Sequence, residues 1–175
     1  MNNVLLISED YIKTNSTISD NYFGKYLTPA IVEAQDIGLQ YILGECLYKK
    51  VLELVINDEI VLPENAVYKT LVDDFALNYL LYKVLSNTSL YANVKLANIG
   101  TVLTTDEHIV GLSQKDFDLL QHNFENKASF YEKRLQQFLL NNKESIPELD
   151  CGCGCNKTIK PHLRFSDNCD LYLGI

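Results

Sequence analysis

Three cysteines alternate with glycines at Cys151, Cys153 and Cys155, and His162 and Cys169 follow within the last 25 residues of the 175-residue chain. Tetrahedral zinc accepts thiolate sulfur and imidazole nitrogen, so Cys151, Cys153, Cys155, His162 and Cys169 form a candidate metal set. The spacing counts against it. Structural zinc sites present pairs of ligands roughly two to four residues apart on a turn, whereas Cys-x-Cys bends the backbone tightly. Gly152 and Gly154 ease that bend, which keeps zinc as an alternative. A redox switch would need a lowered thiol pKa from a helix N-terminus or a cation, and only Lys157, Lys160 and Arg164 lie near in sequence. The preferred reading takes the run as part of an extended arm, with cysteine acting as a small apolar side chain and no cofactor bound.

Other chemistry has less to stand on. His108 falls in a Val- and Thr-rich segment, and His122 sits between Gln121 and Asn123 on a helix, neither with a nucleophile and acid in a recognisable pattern. Asp73, Asp74, Glu45 and Glu53 lack the Glu-x-x-His partners of di-metal bundles and read as solvated helix faces. The segment GKYLTP at Gly24 lacks the first half of a phosphate-binding loop. The chain is expected not to be an enzyme.

Composition narrows the class further. A formal charge of -8 with no Lys/Arg block argues against a grip on nucleic acid built from many phosphate contacts. The N-terminal MNNVLLISEDYIK lacks a basic lead and a cleavage site, and no apolar run approaches the ~20 residues of a spanning helix, so no signal peptide and no membrane contact are expected. Five cysteines, four of them crowded near one end, do not make a disulfide framework. Reduced thiols in a cytosolic setting follow.

The elements that must position any site are mainly helical. Ser8 before EDYIK reads as an N-cap, and a polar stretch, TNSTISDN, then breaks the pattern. Phe23, Leu27, Ile31, Ala34, Gly38, Tyr41 and Ile42 step at three and four residues along a second helix, which Thr28-Pro29 either restarts or bends. Gly44 is a C-cap, and Leu47, Val51, Leu54 and Val55 mark the next helix. Pro63 precedes a long helix with Tyr68, Leu71, Val72, Phe75, Ala76, Tyr79, Leu80 and Leu85 on a wide stripe. Residues at about 93–112 read as an inserted β-hairpin or loop standing away from the helices, with turn chemistry at Asn98 to Gly100. Ser113 and Asp116 then start a helix carrying Phe117, Leu120, Phe124, Ala128, Tyr131, Leu135 and Phe138, expected to reach about Asn142. Residues 1–146 form a small helical bundle with long helices, and 147–175 a Cys-rich extended C-terminal arm.

Eleven tyrosines and seven phenylalanines exceed what one core of this size can hide, and tyrosine suits interfaces because its ring buries while its hydroxyl pairs. Self-association or a large partner surface is expected.

Residues 8–51, from SEDYIK to LYKKV, resemble the opening of head-to-tail adaptor proteins of tailed bacteriophages, in particular the ring proteins of crAss-like phages. Asp20, Ile31, Ala34, Ile42, Leu43 and Gly44 fit that pattern, and LANIGTVLTTDEH and the closing helix DFDLLQHNFENKASFYEKRLQQFLL are similar to later parts of the group. The resemblance covers roughly residues 8–142 and rests on diffuse hydrophobic patterns. It implies a non-enzymatic virion protein of the head-tail neck, assembled in the host cytoplasm. Copies would form a homo-oligomeric ring, a dodecamer, between the portal protein and other neck or tail proteins, with DNA passing through without specific binding. The projecting loop, through Asn98, Gly100, Val102 and Thr104, and the arm, through Leu163, Phe165, Leu171, Tyr172 and Leu173, would meet neighbours by strand addition. The Cys-rich arm departs from the simpler adaptors. A different class, a small zinc-binding adaptor or regulatory module acting through that tail, remains the alternative.

Overall fold

The computed structural model describes residues 4–18, 24–97, 100–103 and 114–150, and these are mainly α-helical. Ser8 opens α1 (Glu9–Thr14) with an extended backbone, and its Oγ accepts from the Tyr11 N–H at 3.1 Å. Glu9 and Asp10 fill the first turn, where exposed N–H groups favour acids.

Next comes one continuous rod over 24–43: α2 (Gly24–Glu33), a π-helical turn (Ala34–Leu39) and α3 (Gln40–Leu43). Pro29 lies inside α2 and so does not begin a new helix. The π turn takes one residue more than an α turn, so the buried face moves on behind it. Leu39, which ends the turn, and Ile42 beyond it are buried, and Tyr41, expected in the core stripe from uniform spacing, is exposed. Gly44 ends the rod at φ 76°, a left-handed value open to glycine, and leads straight into α4 (Glu45–Ile56).

A 3-10 turn at Pro63–Asn65 starts a second continuous run: α5 (Ala66–Thr70), another π turn (Leu71–Ala76) and α6 (Leu77–Asn93). Leu62 is extended, as the residue before a proline prefers. Beyond α6, β1 (Val94–Ala97) and β2 (Gly100–Leu103) pair antiparallel, with Val94 opposite Leu103 and Ala97 opposite Gly100. The last helix, α7 (Gln114–Asn141), has 28 residues, about 42 Å of rod.

Helix α6 is central, packed by α2 and the first π turn and also by α7. Leu27, Ile31, Leu39, Leu43, Leu47, Leu54, Leu71, Leu80, Val84, Leu135 and Leu139 are all but inaccessible to solvent. Each such side chain contributes roughly 1.5–3 kcal/mol by leaving water. The buried Gln35 amide ties the chain's start to this core. Its Oε1 accepts from Leu6 N at 2.8 Å, and its Nε2 donates to Val4 O at 2.8 Å and to Tyr48 Oη at 3.1 Å. In turn the Tyr48 hydroxyl donates to Asp36 Oδ1 at 2.6 Å.

Of the segment expected as an arm, Pro147–Asp150 is a 3-10 turn that packs Leu149 against the core, next to fully buried Ile146. The remainder, 151–175, lies outside the described residues.

Candidate assembly surface on the two flanks of helix α7

Ala128, Leu135 and Leu139 form the buried line of α7 and face the core. Residues stepping by seven, four, three and four along one flank of that line are Leu120, Lys127, Tyr131, Arg134 and Phe138. Aromatic pairs cement this flank to α6 and the second π turn. Tyr131 stacks on Tyr82 with centroids 5.4 Å apart and planes 8° from parallel, and Phe138 meets Phe75 at 4.5 Å. Phe130 meets Tyr131 edge to face at 5.3 Å.

Two cations clothe these rings. Lys127 Nζ lies 5.2 Å from the Tyr82 centroid, and the Arg134 guanidinium lies 5.7 Å from Phe75 and 5.9 Å from Tyr131. Beyond them, Leu119 and Phe130 are 70% and 56% exposed. Both wall a groove of about 440 Å³ whose other side is Tyr82 and whose polar lining includes Asn123 and Asn126. From Leu119 to Phe138 the helix has only two acids, Glu125 and Glu132, and both project from the opposite flank.

The opposite flank has different chemistry. Glu132 borders a second groove, of about 270 Å³, with Glu33, Ile37, Gly38, Tyr41, Tyr79 and Lys83. Ile37 is 69% exposed and Tyr41 47%. The Glu33 carboxylate accepts from the Tyr91 hydroxyl, which, with burial second, raises the Tyr91 pKa. Burial first, and the nearby Glu132 charge second, also hold the Tyr79 proton well above the ordinary phenol range. Gly38 lets the Tyr79 ring come close: a Cβ there would stand 2.5 Å from Tyr79 Oη. One flank of α7 is thus apolar and cationic, and the other apolar with two carboxylates and one lysine.

Of the partner-interface residues expected from the sequence, Gly100 and Val102 lie on β2, opposite Ala97 and Lys95. Asn98, Thr104, Leu163, Phe165, Leu171, Tyr172 and Leu173 lie outside the described residues, as do the zinc candidates Cys151, Cys153, Cys155, His162 and Cys169. Among the described residues no group of three His, Cys, Asp or Glu side chains could hold a metal ion, and no helix is long and apolar enough to cross a membrane. His122 is exposed, with Nδ1 3.5 Å from Glu125 Oε2. Sequence reasoning missed Leu119, Phe130, Lys127 and Arg134. Their signal was present, since Leu119 and Phe130 fall off the core stripe of their helix and the two cations share a flank with no acid.

No curated protein and no solved structure matches the chain. A family model does, over residues 39–159, from the end of the first π turn through α7 and on into the cysteine run. That span is more than half of the sequence, and the chain belongs to the DUF6712 family, a family of unknown function.

Proposed function

We propose that the chain is a structural virion protein, one subunit of a head-to-tail connector ring that joins portal to tail around the DNA channel of a tailed bacteriophage. The observation that carries this reading is the placement of large apolar side chains in water on two separate sides of the bundle, one formed by α7 and the other by the rod over 24–43. Leu119 and Phe130 stand on one side of α7, and Ile37 and Tyr41 stand across its other flank. A ring subunit shows two unlike faces to its two neighbours, and exposed apolar patches of this kind mark interaction surfaces.

The net charge of -8 suits a channel wall that DNA slides past without binding. In this reading the hairpin at about 93–112 projects from the bundle and the arm over 147–175 reaches a neighbour, each lending strand edges for backbone hydrogen bonds. The ring forms in the host cytoplasm, works as a dodecamer in the neck, and needs neither a catalytic residue nor a cofactor.

Light scattering on purified protein, with electron microscopy of the same fractions alone and mixed with the portal protein, tests the reading. Closed rings, or rings seated on the portal, are expected. A monomer at every concentration that also ignores the portal protein would overturn it.

A further inference from the structure

We infer that the two flanks of α7 are each other's partners: the cationic aromatic flank of one copy seats on the acid-bordered Ile37 and Tyr41 flank of a second copy. The inference rests on the ring reading above and names the surface that would build the ring.

Three observations lead to a second copy as the occupant. Both surfaces border the same helix on opposite sides, because the buried line Ala128, Leu135 and Leu139 lies between Tyr131, which lines the first groove, and Glu132, which lines the second. A contact between opposite sides is heterologous, so it repeats from copy to copy and can close into a ring.

The charges also match. Lys127 and Arg134 stand on the first flank with no acid between Leu119 and Phe138 on that side, and Glu33 and Glu132 face Lys83 on the second. Opposite signs favour this docking, and like-charged flanks would repel if two copies met through the same face.

Finally, charges on each flank are held in place before any encounter. The rings of Tyr82, Phe75 and Tyr131 carry Lys127 and Arg134 on their faces, and the Tyr91 hydroxyl holds Glu33. Ordered side chains lose less freedom on association. The apolar parts fit the same pairing: Ile37 and Tyr41, one turn apart, make a ridge, and Leu119 and Phe130 wall the groove that would receive it.

A cationic strip with stacked aromatics is also what a single-stranded nucleic-acid surface needs. Two cations on a chain of net charge -8 weigh against that occupant.

Charge reversal tests the pairing. One variant carries Lys127→Glu with Arg134→Glu, the other Glu33→Lys with Glu132→Lys, and both are checked for native helical signal and melting. Because Glu33→Lys also removes the Tyr91 partner, Ile37→Ser serves as a third variant on that flank that leaves the hydrogen bond intact. Each variant alone is expected to assemble only at ~100-fold higher concentration than the natural sequence. Mixing the two charge variants restores opposite signs at every contact, so alternating rings should reappear. Natural-sequence rings whose stability none of the three variants changes would overturn the pairing and leave the ring reading in place. A natural sequence that is monomeric alone and on the portal protein would overturn both. Oligonucleotide binding that Lys127→Glu with Arg134→Glu abolishes, with sedimentation unaltered, would overturn the pairing in favour of nucleic acid.

Discussion

Tyr68 and Glu148, 80 residues apart in the chain, are joined by a hydrogen bond in which the Tyr68 hydroxyl donates to Glu148 Oε2 at 2.7 Å. The bond fastens the turn that follows α7 to α5, and it closes the bundle at the point where Ile146 enters the core. Because the acceptor is a half-buried carboxylate, the bond contributes more than a neutral pair but less than a fully desolvated one. Tyr68→Phe should therefore lower unfolding stability by about 1–2 kcal/mol, read as a shift of the urea midpoint at unchanged slope.

Alkaline pH should weaken the fold through the buried phenols. Burial first, then the hydrogen bond to Asp36, pushes the Tyr48 pKa from 10.0 up to about 12, and Tyr68 and Tyr79 are raised in the same direction. In the unfolded chain these groups lose their protons near pH 10, earlier than in the folded one, so the unfolded state binds fewer protons above that point. Stability from Tyr48 is complete below about pH 10 and is lost as pH climbs toward about 12. Urea titrations across that window should show a falling midpoint, and Tyr48→Phe should flatten the fall.

Gly38 and Tyr79 make a pair whose mutations should change sign together. Alanine usually stabilises a helix by up to ~1 kcal/mol relative to glycine. At Gly38 the new Cβ would meet Tyr79 Oη at 2.5 Å, and Tyr79 is only 4% exposed, with little room to retreat. Gly38→Ala should thus cost about 1–3 kcal/mol in the natural background. With Tyr79→Phe the nearest ring atom is Cζ at 3.4 Å, and the same alanine should become neutral or stabilising. A double-mutant cycle by thermal melting reads the coupling.

Much of the helical framework is legible in the residues, and the reasons differ from element to element. Ser8 and Gly44 mark their helix ends because a side-chain oxygen for an N-cap and a left-handed φ for a stop are local requirements. The stripe from Tyr68 to Leu85 is readable because its apolar arc is wide enough to survive the π turn at Leu71–Ala76, and only Phe75 of that stripe stays partly exposed. On the first rod the arc is narrower, so the π turn at Ala34–Leu39 moves Tyr41 out of the core and no local residue announces it. The candidate surface depends on which helix lies against which. The acid-free flank with Lys127 and Arg134 can be read from spacing within α7, but the ring of Tyr82 beneath Lys127 comes only from α6 packing.

Helix α6 buries two polar atoms that lack a hydrogen-bond partner among the described residues, Asn87 Nδ2 and Thr88 Oγ1. Thr88 is 3% exposed, so its hydroxyl loses water without a replacement, at a cost of about 1–3 kcal/mol. Valine keeps the branched shape and removes the demand. Thr88→Val should raise stability by about 1 kcal/mol or more, whereas Thr88→Ser keeps the hydroxyl, opens a methyl-sized gap and should lower it. Comparing both variants by urea unfolding separates the polar effect from the packing effect.

The cysteine run offers a test that divides the two classes of function. An arm that needs no metal predicts that replacing Cys151, Cys153 and Cys155 together by serine leaves melting temperature and ring formation unchanged, because serine has nearly the same size and keeps the glycine-rich backbone between. Zinc content of purified protein should then stay well below one ion per chain, and a chelator should alter nothing. The zinc-adaptor alternative predicts the reverse on each count, since structural zinc binding adds directly to folding free energy. One bound zinc per chain, lost together with thermal stability in the serine variant, would move the function away from a connector ring and toward a metal-stapled tail. Measuring metal content and oligomeric state on the same sample keeps the two outcomes apart, because a ring that retains its size after its zinc is stripped can owe neither its closure nor its bundle to the metal.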